Sequence, residues 1–332
     1  MIISRTPFRI SFFGGGTDYP VWYKENGGAV LSTSINKYCY ITCRYLPPFF
    51  DYKFRIRYTK REETNTIAEI NHPSARECLF FLNFEKGVEI QHNADLPAMS
   101  GLGSSSTFTV GLLNALYALK GKITTKRQLA LNAIHVEQDR IHENVGSQDQ
   151  TIAAFGGFNK IEFGGFQEIS VQPVTLEAEK LNQLQKHLML FFTGFPRNAS
   201  DIAGLQIQKT AEKKNELKAM MELVNESLNI LDSDKDRLDD FGRLLHEQWK
   251  IKRSLTPLIS NDQVDEIYEA GLAGGALGGK LLGAGGGGFM LFFVKPEDQQ
   301  KIRERLNRLL YVPFTFENLG SQIIYYAPEN NF

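Results

Sequence analysis

One short segment combines residue types that suit phosphate binding. Residues 96–107 read LPAMSGLGSSST, and a long apolar helical pattern follows them. Glycines let the backbone approach a ligand, and the first amides of a helix attract anions because they lack partners within the helix. A plain serine cap would need only one hydroxyl, so two glycines and three serines favour a phosphate loop. The predicted contacts are Gly101, Leu102, Gly103, Ser104, Ser105 and Ser106.

Three carboxylates could perform acid–base or metal chemistry. Asp18 follows three glycines in GGGTDYP, Glu137 lies in IHVEQDRIHEN, and Asp149 lies in GSQDQ. A carboxylate within hydrogen-bond reach of an acceptor hydroxyl can take its proton, and another can ligate Mg²⁺. Each also has an ordinary explanation: a turn residue for Asp18, a helix surface charge for Glu137, a helix N-terminal acid for Asp149. Sequence alone does not separate Glu137 from its neighbours Asp139 and Glu143 as the metal ligand.

Two arginines could contact phosphate. Arg9 lies in TPFRISFF, and Arg197 lies in TGFPRNAS after an apolar run. A guanidinium is always charged and can form two parallel hydrogen bonds to a phosphate or carboxylate. An edge-strand charge for Arg9 and an exposed charge for Arg197 are the alternatives. Arg5, Lys37 and Arg44 are further cations that could hold a substrate phosphate, with nothing in the sequence to choose among them.

A second glycine-rich stretch has to be separated from known phosphate motifs. Residues 274–280, GGALGGK, match the P-loop spacing, but Leu281 stands where a Mg²⁺-binding hydroxyl is needed. Residues 283–288, GAGGGG, match GxGxxG, but an apolar strand pattern follows instead of a helix. We therefore interpret the P-loop match and the GxGxxG match as coincidental. The glycine density itself indicates close approach to another backbone or to a ligand, and Gly285 and Gly286 are the predicted contacts.

The elements that must position these residues are mostly strands in the first hundred residues. Short β-rich runs at 2–5, 9–13, 29–32, 38–42 and 88–92 are interrupted by glycine and proline. A helix is predicted from Ser104 to Leu119. A capping pattern at Thr125 predicts a second helix to about Asn144, and a short helix should begin near Gln148.

The second half changes character. Residues 188–193 predict a buried strand, and 199–282 predict helices with a break at 232–234. A strand at 289–294, a helix at 297–310 and a strand at 323–327 should follow. The fold class is therefore α+β, and we divide the chain into residues 1–175 and residues 176–332.

Composition excludes several classes of protein. The 332 residues are 42% hydrophobic and 23% charged, with a net charge of −1, so no nucleic-acid partner is expected. No apolar run is long enough to cross a membrane, and the N-terminus lacks a signal-peptide pattern, so a cytoplasmic protein is expected. The three cysteines do not make a disulfide framework. Oligomeric state cannot be predicted.

Three motifs in order resemble those of the GHMP kinase superfamily. They are TPFRISFFGGGTDYP, LPAMSGLGSSST and KLLGAGGGGFMLFF. FGGGTDYP, the stretch around GSQDQ and FFTGFPRNASDI look most like the heptose kinases of that superfamily. The resemblance implies an N-terminal domain of the ribosomal-protein-S5 type, a helix-rich C-terminal α+β domain, and an active site in the cleft between them.

The resemblance also implies roles for the residues. Asp149 would be the base toward the sugar hydroxyl, and Arg9 would assist it. Residues 101–106 would hold the ATP phosphates, with Ser105 and Glu137 as Mg²⁺ ligands. The substrate, a small sugar phosphate, would contact Gly16, Thr17, Asp18, Arg197, Gly285 and Gly286.

The expected reaction is phosphorylation of the anomeric hydroxyl of a heptose 7-phosphate, feeding synthesis of nucleotide-activated heptose. Galactose- or fucose-type kinases, mevalonate or homoserine kinases, and a non-catalytic regulator are the alternatives. Asp18 and Arg9 favour a sugar over mevalonate or homoserine, because a carboxylate accepts hydrogen bonds from vicinal hydroxyls.

Overall fold

The computed structural model describes residues 1–165, 168–194, 199–235 and 237–327. The first half contains β1 (Ile2–Phe13), α1 (Pro20–Asn26), β2 (Gly28–Tyr45), β3 (Phe54–Arg57), β4 (Arg61–Thr64), α2 (Pro73–Phe81), β5 (Val88–Ala94), α3 (Ser104–Leu119), α4 (Lys126–His135), α5 (Gln148–Phe155), β6 (Phe158–Phe163) and β7 (Ile169–Pro173). The second half contains α6 (Ala178–Lys186), β8 (Leu188–Phe192), α7 (Ala199–Gln208), α8 (Lys214–Asp232), α9 (Leu238–Leu255), α10 (Asp262–Ala273), β9 (Ala276–Leu281), β10 (Phe289–Val294), α11 (Gln299–Arg305), β11 (Leu310–Tyr311), β12 (Phe316–Glu317) and β13 (Gln322–Tyr326).

Two sheets organise the molecule. Within the described residues, the first sheet has nine strands, with the path β13-β1-β2-β5-β3-β4 and with β6, β7 and β12 attached through β2. The second sheet has the order β11-β8-β10-β9 and is antiparallel. The pairing of β3 with β5 is parallel, and the other pairings of the first sheet are antiparallel. The molecule is therefore of the predicted α+β class.

The chain returns to its first sheet near its C-terminal end. The strand β13 pairs with β1, bringing Ile3 opposite Tyr325, and β12 pairs with β2. A division at residue 175 assigns these two strands to the second domain, although they complete the first sheet. The division itself stays a prediction.

Helix α3 packs closely against the first sheet. A Cβ on Gly111 would lie 2.8 Å from Thr6 Oγ1, so this position admits no larger residue without a shift. Val110, Leu112 and Leu116 of the same helix are fully buried. This packing fixes the N-terminus of α3 relative to β1, and the predicted bounds of the helix, Ser104 to Leu119, are confirmed.

The prediction that helix continues to residue 282 is wrong. Residues 276–281 form β9, which pairs with β10. A Cβ on Gly278 would lie 2.0 Å from the carbonyl oxygen of Gly242 in α9, so the two elements touch through their backbones. The glycines of β9 permit this contact. Because glycine is a poor strand former, their density led the sequence analysis to miss the strand.

Other predicted elements have shifted ends. The runs 2–5 and 9–13 form one strand, β1. Thr125 does cap α4, because its hydroxyl accepts from the amide of Gln128, but the helix ends at His135 and continues as a π-helical turn at Val136–Arg140. Helix α11 ends at Arg305 instead of residue 310.

None of the helices in the described part of the chain combines the length and apolarity needed to cross a membrane.

Candidate active site

A cavity of about 270 Å³ lies where the two halves of the molecule meet. Its wall includes the phosphate loop at the start of α3, the turn after β1, the start of α5, and residues of α7, α9 and β9. The predicted site residues that line it are Arg9, Gly16, Asp18, Gly101, Gly103, Ser104, Ser105, Ser106 and Asp149. Residues about 140 apart in the chain therefore meet in one cavity.

The phosphate loop presents the open end of a helix to this cavity. Gly103 occupies the N-cap position of α3 with φ of 77°, a left-handed conformation that favours glycine. Glycine has no side chain to cap the helix, so the amides of the first turn stay available to an anion. Leu102 is completely buried, and its side chain belongs to the core instead of the cavity. Its carbonyl oxygen accepts a hydrogen bond from the amide of Arg9.

Arg9 joins this loop to Asp149. Its Nε and Nη2 donate to the two carboxylate oxygens of Asp149 at 2.7 and 2.8 Å, a bidentate ion pair. Its Nη1 donates to the carbonyl oxygen of Gly101 at 2.7 Å. A Cβ on Gly103 would lie 3.1 Å from Asp149 Oδ2, so the carboxylate lies against the loop. The arrangement holds one carboxylate beside the backbone of the predicted phosphate loop.

Glu137 lies behind the loop. It is completely buried in the π-helical turn after α4, and its Oε2 accepts from Ser106 Oγ at 2.7 Å and from the side-chain amide of Gln150. Burial raises the pKa of Glu137 to about 7 in spite of these hydrogen bonds. Among the described residues, its Oε1 has no hydrogen-bond partner. The serine in contact with Glu137 is Ser106, which the sequence predicted only as a phosphate contact, whereas Ser105 is exposed at the cavity wall.

Asp18 forms part of the cavity wall near the glycine turn that follows β1. Its Oδ1 accepts from the amide of Gly16 at 2.9 Å, and its Oδ2 accepts from the amide of Gln148 at 3.3 Å. Burial raises the pKa of Asp18, while the hydrogen bond from Gly16 acts in the opposite direction.

Thr17 does not line the cavity: its hydroxyl donates to the carbonyl oxygens of Gly14 and Ala29. Thr17 thus holds the turn, and its contact with the substrate stays a prediction.

The C-terminal glycine loop lines the cavity two residues before the predicted pair. Gly283 and Ala284 line the cavity, and Gly285 and Gly286 do not. A Cβ on Gly285 would lie 2.5 Å from Ile259 Cα, and the amide of Gly286 donates to the carbonyl oxygen of Ile259. These two glycines pack closely against the backbone of Ile259, and their contact with a ligand stays a prediction.

The remaining predicted cations lie elsewhere. Arg5 donates to Gln322 and stacks on Tyr38, and Arg44 pairs with Glu89. Neither these two arginines nor Lys37 lines the cavity. Arg197 lies outside the residues that the structure describes.

Sequence reasoning missed four polar residues of the cavity wall. Ser11 and Gln148 are buried, and in the described part of the chain Ser11 Oγ and Gln148 Oε1 have no hydrogen-bond partner. Lys252 and Lys280, also buried, line the cavity from α9 and β9. Gln148 stands next to Asp149, and Lys280 ends the GGALGGK stretch that we interpreted as a chance match, whereas no local pattern marks Ser11 or Lys252.

Two segments match known families of domains. Residues 68–157 match the GHMP kinases N terminal domain, and residues 214–312 match the GHMP kinases C terminal domain. The chain belongs to the GHMP kinases. The predicted superfamily, its two-domain fold and the class of ATP-dependent kinase are thereby confirmed.

Individual GHMP kinases resemble the chain over nearly its whole length. A D-glycero-alpha-D-manno-heptose 7-phosphate kinase of Campylobacter jejuni is 29% identical, covering 92% of this chain and 93% of the relative. A bifunctional fucokinase/GDP-fucose pyrophosphorylase of Arabidopsis thaliana is 24% identical over 90% of this chain but only 30% of the larger protein. The structure of a D-glycero-D-manno-heptose 1-phosphate kinase from Bacteroides thetaiotaomicron has a TM-score of 0.78 at 23% identity, with 98% and 99% of the two chains covered. This last likeness concerns the fold alone.

Proposed function

We propose that this GHMP kinase transfers the γ-phosphoryl group of ATP to the anomeric hydroxyl of a heptose 7-phosphate, giving the 1,7-bisphosphate. The observation that carries the proposal is the Arg9–Asp149 pair, with both carboxylate oxygens held at 2.7 and 2.8 Å beside the phosphate loop. This carboxylate lies against the predicted phosphate loop, and its charge acts on Asp18 in the wall of the same cavity. The choice of a heptose phosphate draws on the relative from Campylobacter jejuni.

The reaction follows from these positions. Asp149 accepts the proton of the acceptor hydroxyl, the hydroxyl oxygen bonds to the γ-phosphorus, and the bond between that phosphorus and the β–γ bridging oxygen breaks. ADP leaves with the electron pair of that bond. The amides at the start of α3 hold phosphate oxygens, and Arg9 keeps the carboxylate of Asp149 in place.

The residues present fit a magnesium ion. Mg²⁺ binds one or two protein oxygens and otherwise keeps water and phosphate ligands, and here it would neutralise charge on the phosphates. Ser105 and Glu137 are the proposed ligands, as the family resemblance implies. The unpartnered Oε1 of Glu137 and the raised pKa of this carboxyl, about 7, are what a nearby cation would relieve. Ser106 would orient Glu137 through their 2.7 Å hydrogen bond.

A hydroxyl-rich substrate suits the opposite wall. Ser11 Oγ and Gln148 Oε1 are buried without partners among the described residues, and a buried polar atom left unpaired costs about 1–3 kcal/mol. Sugar hydroxyls would pair with these atoms and with Asp18. Mevalonate offers fewer hydroxyls, so the same wall disfavours it as the substrate.

The test is ADP release from Mg-ATP with a panel of acceptors. The panel contains heptose 7-phosphate, heptose 1-phosphate, free heptose, mannose, galactose, fucose and mevalonate, and NMR locates the new phosphate. We expect selective turnover of the 7-phosphate with the new phosphate on C1. Selective turnover of another acceptor would replace the proposed substrate, and ATP binding without turnover of any acceptor would favour a non-catalytic regulator.

A further inference from the structure

The glycine turn after β1 contains one glycine that the packing of the protein does not explain. All 29 glycines of the chain lie in its described part. Gly15 is the one among them that neither has a left-handed φ nor would bring a Cβ within 3.0 Å of another atom. Its neighbours Gly14 and Gly16 have φ of 80° and 114°, conformations that favour glycine. A small side chain at position 15 would therefore fit the protein, and the fold gives no reason for its absence.

The space beside Gly15 opens into the cavity between two polar side chains. Gly15 lines the cavity, and a Cβ there would lie 3.6 Å from Gln148 Nε2 and 3.7 Å from Ser11 Oγ. Apart from the adjoining residues of the turn, no other described atom would lie within 4 Å of it. Both distances exceed the length of a hydrogen bond by less than about 1 Å. A ligand atom in this space would therefore meet hydrogen-bonding groups instead of apolar side chains.

Ser11 and Gln148 are placed to bond such a ligand. They are 5% and 9% exposed, and in the described part of the chain Ser11 Oγ and Gln148 Oε1 have no hydrogen-bond partner. Their backbones are fixed, because Lys280 Nζ donates to the carbonyl oxygen of Ser11 at 2.9 Å and the amide of Gln148 donates to Asp18 Oδ2 at 3.3 Å. Buried polar groups usually have a partner, so these two side chains indicate one from outside the chain.

The chemistry of the two side chains fits a hydroxyl group. A serine hydroxyl and a glutamine amide are neutral, and each can both donate and accept a hydrogen bond, as a sugar hydroxyl does. A phosphate group is charged and offers mainly acceptors. Gln148 directly precedes Asp149, the proposed base, so the molecule beside this pair is the acceptor. The ATP phosphates would lie at residues 101–106 instead.

We propose that one hydroxyl-bearing carbon of the acceptor sugar lies over Gly15, with its hydroxyl bonded to Ser11 and Gln148. The missing side chain of Gly15 then sets the size of the group that fits there, so Gly15 determines which acceptors the kinase admits. The inference rests on the proposed function, because it assumes a polyhydroxylated acceptor next to Asp149. A single methyl group at position 15 would accordingly exclude the sugar without harm to the fold.

The experiment measures unfolding temperatures, and dissociation constants by calorimetry, for the wild type, Gly15→Ala, Gly15→Val and the control Gly121→Ala. The ligands are ATP and the sugar of the acceptor panel that the wild type phosphorylates, which we expect to be the heptose 7-phosphate. Gly15→Ala should weaken sugar binding by about 10- to 100-fold, and Gly15→Val by more, because the added carbons overlap the ligand. The affinity for ATP should change by less than about threefold, and the unfolding temperature should stay or rise, because alanine at a compatible φ restricts the unfolded chain.

Gly121 provides the matched control. It is exposed after α3 with φ of 65°, and a Cβ there would meet no described atom within 4 Å. Gly121→Ala should therefore lower the unfolding temperature through backbone strain and leave the affinities for sugar and ATP unchanged. The substitutions at positions 15 and 121 thus have opposite expected effects on stability and on sugar binding.

Sugar analogues that each lack one hydroxyl other than the acceptor hydroxyl identify the group over Gly15. For one analogue, the loss caused by Gly15→Ala should shrink to below about threefold, because no oxygen remains to overlap the methyl group. The same analogue should bind the wild type about tenfold more weakly than the parent sugar does, since its bonds to Ser11 and Gln148 are lost. A loss of equal size for every analogue would overturn the assignment of a hydroxyl to this space.

The remaining outcomes separate the inference from the proposed function. An unchanged sugar affinity in Gly15→Ala would overturn the inference while leaving the sugar kinase intact. A loss confined to ATP would place the nucleotide over Gly15 and overturn it as well. A lower unfolding temperature with equal losses for both ligands would make Gly15 a structural residue, which also contradicts the inference. A wild type that binds ATP but phosphorylates no acceptor would overturn the proposed function, and the inference with it.

Discussion

The pair formed by Arg9 and Asp149 gives the site its chemistry at the scale of single residues. We expect Asp149→Asn to lower kcat by about 10²- to 10⁴-fold, because an amide cannot accept the proton of the acceptor hydroxyl. KM for ATP should change little, since the loop backbone stays in place. Asp139→Asn is the matched control, because Asp139 is 68% exposed and pairs with His135 on the surface. Steady-state kinetics with both substrates would measure this, and near-wild-type turnover of a folded Asp149→Asn variant would contradict the role of Asp149 as base.

Gln148 precedes this carboxylate and offers a separate test of the sugar-binding wall. We expect Gln148→Leu to raise KM for the sugar by about tenfold, because a sugar hydroxyl would lose its partner Oε1. KM for ATP and the unfolding temperature should stay close to those of the wild type. Gln183→Leu provides the control, since Gln183 is exposed on α6, its side-chain amide donates to Glu179, and it does not line the cavity. An unchanged KM for the sugar would show that Gln148 does not contact the substrate.

At the scale of elements, a glycine between the π-helical turn and α5 sets the position of Asp18. A Cβ on Gly146 would lie 1.9 Å from Asp18 Oδ2. We expect Gly146→Ala to reduce the free energy of unfolding by about 1–3 kcal/mol through overpacking, and to weaken sugar binding. The clash is with one carboxylate, so the same substitution in an Asp18→Ala background should cost much less. Denaturant unfolding of the four proteins completes this double-mutant cycle, and equal costs in both backgrounds would rule out the clash as the cause.

Particular elements show how far sequence could predict this fold. The helix behind the phosphate loop and the strand at 289–294 were predicted to within a residue, because local caps and apolar periodicity determine them. The strand β9 was missed, because its glycines are explained only by contact with α9, whose Gly242 lies about 36 positions earlier in the chain. The π-helical turn that carries Glu137 was missed because the partners of that carboxylate, Ser106 and Gln150, lie in other elements and leave no local pattern.

The residues of the candidate site were likewise predictable only in part. Motif residues such as Asp149 and the phosphate loop could be placed from local spacing and resemblance. Lys252 and Ser11 could not, because an amphipathic helix and a strand give no local sign that one polar side chain points into a cavity. Thr17 and Gly285 show the converse, because each holds the backbone of its motif in place, a role that the local sequence does not reveal.

At the scale of the whole molecule, the two halves meet through backbone at the phosphate loop. Gly288, at the start of β10, has φ of 108°, and a Cβ there would lie 2.2 Å from the carbonyl oxygen of Ser100. Its own backbone is held by Thr193, which exchanges hydrogen bonds with the amide and carbonyl of Gly288. Through Gly288, the position of the second sheet therefore determines where the loop that would hold ATP can lie.

We expect Gly288→Ala to raise KM for ATP and lower kcat, because a methyl group at this point must displace the loop at Ser100. The matched control is Gly285→Ala, in which the added Cβ would lie 2.5 Å from Ile259 Cα and away from the loop. Both substitutions should lower the unfolding temperature, since both force alanine into a left-handed conformation, at a cost of about 1–3 kcal/mol. ATP affinity measured by calorimetry on folded protein separates the two effects. If Gly285→Ala weakened ATP binding as much as Gly288→Ala, the coupling would come from general loosening of the glycine loop instead of its contact with Ser100.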